Sequence, residues 1–227
     1  MLFPGAVLNL HVFEPRYKQM IHECLESGEG FGVALIAEGA ESGDPNVMPH
    51  EIGSIAEIIE VQPLPFGRYF ISTLGRERFR IAQIVSREPY LIVEADVIAD
   101  EEEPDVDEAD KGLLRAVRGL FDEYLDMLLE FSGQATSIEL PDDALGTSYL
   151  IGDTLQVAEA VKQRLLELDG SQARLRAEFD FLQRLLPQLR RLLERRQREL
   201  ELRQDSGEDH SYRAEHEKYY GKFFSLN

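Results

Sequence analysis

LFPGAVLNLHVFEPRYKQMI, from Leu2 to Ile21, carries the signals from which the fold can be argued. Within Ala6 to Phe13, Leu8, Leu10 and Val12 alternate with Val7, Asn9 and His11, the two-residue period of a strand with unlike faces. Pro15 follows, and its fixed φ suits a first helical turn. Tyr17, Met20, Ile21 and Leu25, with Cys24, then recur at helical spacing until Gly28. A strand running straight into a proline-started helix predicts a helix laid across the end of a sheet or barrel.

Five more apolar runs follow: Phe31 to Ala37, Ile52 to Val61, Tyr69 to Leu74, Arg78 to Val85 and Tyr90 to Ile98, each bounded by Gly, Pro or charged residues. Leu64 to Gly67 (LPFG) and the LGRE segment around Gly75 are short enough to be hairpin turns. A closed or nearly closed antiparallel barrel is the economical arrangement, because it leaves few open edges. The polar stretch Glu38 to Glu51 reads as a surface loop.

Past Asp100 to Asp110 (DEEEPDVDEAD), an acidic run expected to be a solvated linker, the period becomes helical. Leu113, Leu114, Val117, Leu120, Phe121, Tyr124, Leu125 and Leu128 define an amphipathic helix from about Glu108 to Phe131. A shorter helix follows Pro141, a third runs from about Thr154 to Leu168, and Asp169-Gly170-Ser171 separates a fourth. Leu175, Phe179, Leu182, Leu186, Leu189 and Leu193 alternate by fours and threes, as in a coiled-coil seam. Continuous to Arg203, that helix is roughly 45 Å long at about 1.5 Å per residue. Pro187 inside it predicts a kink and a distal half that is free or bound to a partner, with self-association through this helix as one outcome. The expected organisation is a barrel over 1–99, an acidic linker over 100–107, a helical part over 108–203 and a polar, aromatic tail over 204–227. The fold class is therefore α+β: an antiparallel β-barrel with one inserted helix, then a helical bundle ending in a long helix.

Composition narrows the function. The net charge of −19 and pI near 4.6 oppose binding to a phosphate backbone, which relies on Lys and Arg displacing counterions. No apolar run approaches the roughly 20 residues of a membrane span, so no membrane partner is expected and the cytoplasm is the default location. Cys24 is the single cysteine; it has neither a disulfide partner nor a spaced His pair, so no metal site and no cofactor are expected. No glycine-rich phosphate loop ending in Lys and Ser or Thr is present. His11 and Glu14 lie close in sequence, yet they lack a nucleophile and read as structural groups. No catalytic residue is assigned.

Phe3-Pro4-Gly5, Phe13-Glu14-Pro15-Arg16-Tyr17, Phe31-Gly32-Val33, Ile52-Gly53-Ser54 with Ala56, Gly67-Arg68, Gly75 with Arg78-Phe79-Arg80-Ile81, and Pro89-Tyr90 stand in order along the first half. Lys162-Gln163, Leu165-Leu166-Glu167 and Arg174-Leu175 follow. This ordered set, over roughly Leu2 to Leu193, resembles the Lon substrate-binding domain family (peptidase S16). The resemblance implies a PUA-like barrel followed by a helical bundle that binds unfolded or tagged proteins. It implies an adaptor in proteolysis or protein quality control, working with a separate protease or chaperone. PUA-like barrels also occur in RNA-binding proteins, which makes a nucleic-acid module the alternative. Family members carry another strand, of the Pro-Leu-Phe-Pro-Leu kind, just before the position of Leu2. Either the start at Met1 is internal, or the barrel lacks that strand and exposes an edge.

An exposed edge predicts where a protein partner binds. Leu2, Phe3, Pro4 and Val7 are expected on an apolar rim open to strand addition. Glu14, Arg16 and Tyr17 are expected to clamp the helix start, or else to touch substrate. Arg68 follows a turn, and of Arg78 and Phe79, alternating on one strand, only one is expected to face solvent. In the tail, Tyr219, Tyr220, Phe223 and Phe224 either dock a partner or fold back on the bundle.

Overall fold

The computed structural model describes residues 1–39, 46–100, 108–132 and 138–206; the tail aromatics lie outside the described residues. The elements run β1 (Val7–Val12), α1 (Pro15–Ser27), β2 (Phe31–Val33), β3 (Ile36–Glu38), β4 (Met48–Pro49), β5 (Ile52–Leu64), β6 (Arg68–Ser86) and β7 (Ile92–Ile98). Four helices follow: α2 (Glu108–Ser132), α3 (Ala144–Thr154), α4 (Glu159–Glu167) and α5 (Ser171–Ser206).

All the pairings are antiparallel. The main sheet has the order β1-β6-β5-β2, with β7 also on β6, while β3, at the end of the Phe31 to Ala37 run, forms a small ribbon with β4, which lies inside the stretch expected to be a plain loop. β1 pairs with the first part of β6, from Val7↔Leu74 to Val12↔Tyr69, and β7 pairs with the second, from Arg78↔Ile98 to Ser86↔Ile92. They therefore occupy one edge of β6 end to end, opposite β5. The sheet wraps around a cluster of Leu2, Val12, Phe31, Ala56 and Ile71, with Ile21, Tyr17, Met20 and Cys24 of α1 in the same cluster. Among the described residues β1 and β2 are not hydrogen-bonded to each other, and α1, which connects them in sequence, packs into the core they flank.

α1 begins and ends at the expected residues. Pro15 occupies the first turn, and Gly28 closes the helix at φ 74°, donating its N–H to the Cys24 carbonyl at 2.9 Å. Leu64↔Arg68 closes the LPFG hairpin as expected. Gly75 makes no turn. It lies inside the continuous strand β6, and its two backbone bonds, Gly5 N–H to its carbonyl and its own N–H to the Ala6 carbonyl, are both 2.8 Å. A Cβ there meets the backbone carbonyl of Phe3, so the glycine serves a close crossing of two chains.

The helices share a second cluster. It contains Val117, Phe121 and Tyr124 of α2, Tyr149 and Ile151 of α3, Leu155 just beyond it, Leu165 and Leu166 of α4, and Leu175, Leu182, Leu185 and Leu186 of α5, together with Phe3 and Ile52 from the β half. α5 runs through Pro187 as one helix. Its distal half is not free: Leu193 is buried, Arg190 pairs with Glu123, Arg196 donates to the Phe131 carbonyl at 2.6 Å and Gln197 donates to Glu130. The leucine seam expected to serve self-association is thus used inside the chain, against α2.

Candidate functional site

Two regions gather the residues singled out from sequence: a polar joint between sheet and helices, and the exposed end of the sheet at the β5–β6 hairpin.

At the joint, Arg78 of β6 is 1% exposed. Its Nε and Nη2 donate to the two oxygens of Asp100 at 2.8 and 2.6 Å, and its Nη1 donates to the carbonyls of Leu166 and Leu168 at 2.6 and 2.9 Å. Arg174 of α5, wholly buried, donates from Nε to the Leu165 carbonyl at 3.0 Å, from Nη2 to the Leu168 carbonyl at 2.9 Å and from Nη1 to Ser148 Oγ at 2.9 Å. Its guanidinium lies 4.0 Å from the centroid of the Tyr149 ring, and the Tyr149 hydroxyl donates to Asp100. Two buried cations therefore cover the C-terminal carbonyls of α4, where the helix dipole is negative and the last C=O groups lack helical partners. Burial opposes the Asp100 charge, but the hydrogen bonds from Arg78 and Tyr149 outweigh it and hold the carboxyl below its ordinary range. Burial also opposes the Arg78 charge, yet Asp100 raises its affinity for the proton.

Three expectations change here. Arg78 does not alternate with Phe79 as a surface residue. Both are buried, because bundle as well as barrel covers this stretch of β6. Asp100 is not part of a solvated linker but the counter-charge of Arg78. Leu2 and Phe3 form no open rim, being 1% and 0% exposed. Leu2 belongs to the barrel core, and its carbonyl accepts from Ser54 at 2.8 Å. Phe3 belongs to the bundle core, with its ring 6.3 Å from Tyr149 and against Gly152, where an added Cβ sits 2.9 Å from the ring. Adjacent residues thus anchor in different cores. Pro4 is half-buried at this crossing.

Glu178, one turn beyond Arg174, was not anticipated. It is fully buried on the core face of α5, neither of its carboxyl oxygens has a hydrogen-bond partner, and burial pushes its pKa well above the ordinary range. Burial thus favours its protonated form, against the opposing pull of the Arg174 charge. Nothing in the sequence marked it, since a Glu in an Arg-rich helix reads as a surface residue.

The remaining predicted residues collect at the sheet's outer end. Val7 is the exception: 59% exposed, it starts β1 opposite Leu74, at the end of the strand away from the hairpin. Glu14 accepts from Arg16 Nε at 2.9 Å, and the Arg16 guanidinium lies 4.4 Å from the Tyr17 ring centroid, which agrees with a clamp at the start of α1. Tyr17 packs its ring against the barrel core. Arg68 donates to the Pro65 carbonyl at 3.0 Å beside the hairpin tip. Phe13, Phe66 and Phe70, exposed around this end, were not singled out from sequence as binding residues, although Phe13 opens FEPRY and Phe66 lies within LPFG.

Among the described residues no group of three or more His, Cys, Asp or Glu is placed to hold a metal ion, and no helix is long and apolar enough to cross a membrane. The molecule thus falls in the class of mixed α+β modules in which a helix-plugged antiparallel sheet is bolted to a helical bundle. A family model, the ATP-dependent protease La (LON) substrate-binding domain, matches residues 1–184, and the chain belongs to that family. It is 24% identical over 176 residues to a Lon protease of Flavobacterium johnsoniae, covering 77% of this chain and 21% of that protein. It is 26% identical over 191 residues to Lon protease 2 of Myxococcus xanthus, covering 81% and 22%. The chain therefore spans about a fifth of the length of these curated relatives. Its fold is shared with a Lon N-terminal domain protein from Xanthomonas campestris (TM-score 0.57, 24% identity, 78% of this chain and 89% of that one). It is shared too with the N-terminal domain of a Mycobacterium avium complex Lon protease (TM-score 0.52, 18% identity, 81% and 92%).

Proposed function

We propose that the chain is a non-catalytic protein-binding module that recognises unfolded or partner polypeptides and hands them, as an adaptor, to a separate protease or chaperone in the cytoplasm. The observation that carries this is the outer end of the sheet. Phe13, Phe66 and Phe70 stand 59, 89 and 40% exposed there, on a scaffold that has enough core to bury such side chains elsewhere. β1 also lies at the end of the strand order, so its outer edge offers backbone groups for an added strand. Family membership supports the same function, and the protein's acidity weighs against a nucleic-acid partner.

Binding of labelled, reduced casein tests the proposal. The expected result is saturable binding of unfolded casein, none of a folded control protein, and no degradation of casein with or without ATP. ATP-dependent degradation by the pure protein, or equal affinity for folded and unfolded forms, rejects it.

A further inference from the structure

The hairpin between β5 and β6 turns through Pro65, Phe66 and Gly67. Phe66 has φ 65° and ψ 31°, and among the described residues it is the one non-glycine residue with positive φ. That left-handed conformation suits Gly or Asn, and a bulky side chain is strained in it. The ring gains nothing from burial either, since at 89% it is more exposed than any other large hydrophobic side chain described. A residue that serves neither its turn nor the core, kept where strain accumulates, points to contact with something outside the chain.

Its surroundings say what kind. Lys18 at the start of α1 reaches the Phe66 carbonyl at 3.5 Å, and the Arg68 guanidinium lies 6.0 Å from the Phe66 ring centroid. Phe13 follows Val12, which pairs with Tyr69, so Phe13 stands level with Arg68; the His11 ring is 5.6 Å from it and His11 pairs across to the exposed Phe70. Aromatic faces and cations therefore share one end of the sheet. The chain carries 43 Asp and Glu and a net charge of −19, yet residues 1–13 and 61–75 contain no carboxylate. The carboxylate that follows Phe13, Glu14, already accepts from Arg16.

We infer that this tip recognises an extended polypeptide segment in which aromatic or aliphatic side chains are flanked by carboxylates. The inference rests on the protein-binding function proposed above and specifies the segment's chemistry. Rings on both sides bury each other's faces, while Lys18 and Arg68 pair with the flanking carboxylates. The protein's net charge of −19 repels such a segment at long range, but at 0.15 M salt that repulsion is screened beyond roughly 8 Å, so contacts at the tip decide binding. A nucleic-acid strand needs cations tracking a row of phosphates, and this end of a strongly acidic protein offers too few.

Fluorescence anisotropy with three labelled probes of equal length tests it: an unstructured peptide alternating phenylalanine with aspartate, its lysine-for-aspartate counterpart, and oligothymidylate. The expected order is aspartate peptide tightest, by about tenfold or more over the other two. Phe66→Asn is expected to weaken the aspartate peptide about tenfold while leaving the melting temperature unchanged or higher. Arg68→Gln is expected to weaken it several-fold and to reduce its salt dependence. Undiminished binding to Phe66→Asn, or a lysine peptide or oligothymidylate binding as tightly as the aspartate peptide, overturns the inference. Casein binding that survives Phe66→Asn while the peptide contrast is absent removes this site alone; loss of casein binding by the parent protein removes the broader function.

Discussion

The joint and the hairpin tip are opposite solutions to placing polar and aromatic groups. At the joint two arginines, an aspartate and a tyrosine are withdrawn from water, and carbonyls or carboxylate oxygens meet the guanidinium donors. At the tip the rings face water and the backbone of Phe66 is strained. The first arrangement stabilises through satisfied partners and tolerates no loss. The second contributes little to the fold, which leaves it free to be used by another molecule. Side-chain substitutions should therefore separate stability from binding along a line drawn between these two places.

The largest effect is expected where both cores and the joint meet. Arg78→Met leaves Asp100 buried without its counter-charge and the Leu166 carbonyl without its Arg78 donor, and should cost about 3–5 kcal/mol in urea unfolding. Phe3→Ala empties the socket between Tyr149 and Gly152 and should cost about 3–5 kcal/mol. A loss below about 1 kcal/mol for either variant breaks the contrast. Glu178 sharpens it from the other direction. An unpartnered buried acid has a raised folded pKa, so its contribution is fully present below the unfolded value of roughly 4.3 and is lost as pH rises toward the folded one. Glu178→Met should stabilise the protein at neutral pH by about 1–3 kcal/mol and flatten the decline of stability as pH increases, measured by denaturant titration at successive pH values. Asp100 has the reverse sign. Its lowered pKa supports the fold above an unfolded value of roughly 3.9 and withdraws that support as pH falls through the folded one, so Asp100→Asn should flatten the acid limb of the same curve. The smallest effect belongs to the tip: Phe66→Asn should change stability by less than about 1 kcal/mol, in the stabilising direction.

How much could be foreseen depends on how local each cause is. The bounds of α1 are legible because Pro15 and Gly28 act on their own turns, and the body of α2 because Leu113 to Leu128 recur at helical spacing. Gly75 misleads because a glycine that permits a close crossing looks in sequence like one that permits a turn, and the distinction lies in Phe3, far away in the chain. Arg78 and Asp100 misread for a related reason: alternation along β6 predicts one exposed face only when a single layer covers the strand, and here the α4–α5 junction covers the other. At the hairpin end, sequence supplied Arg68, Arg16 and the LPFG turn. It did not supply Phe66, whose oddity is a backbone angle at full exposure.

The placement of Leu2 and Phe3 in different cores also has a temporal side. Leu2 finds most of its neighbours once β6 has been made. Phe3 has to wait for Tyr149 and Gly152, so until α3 has been made a phenylalanine destined for full burial has no socket. Phe3 thus makes its contact with Tyr149 across most of the described sequence, and completion of the barrel end is coupled to arrival of the third helix.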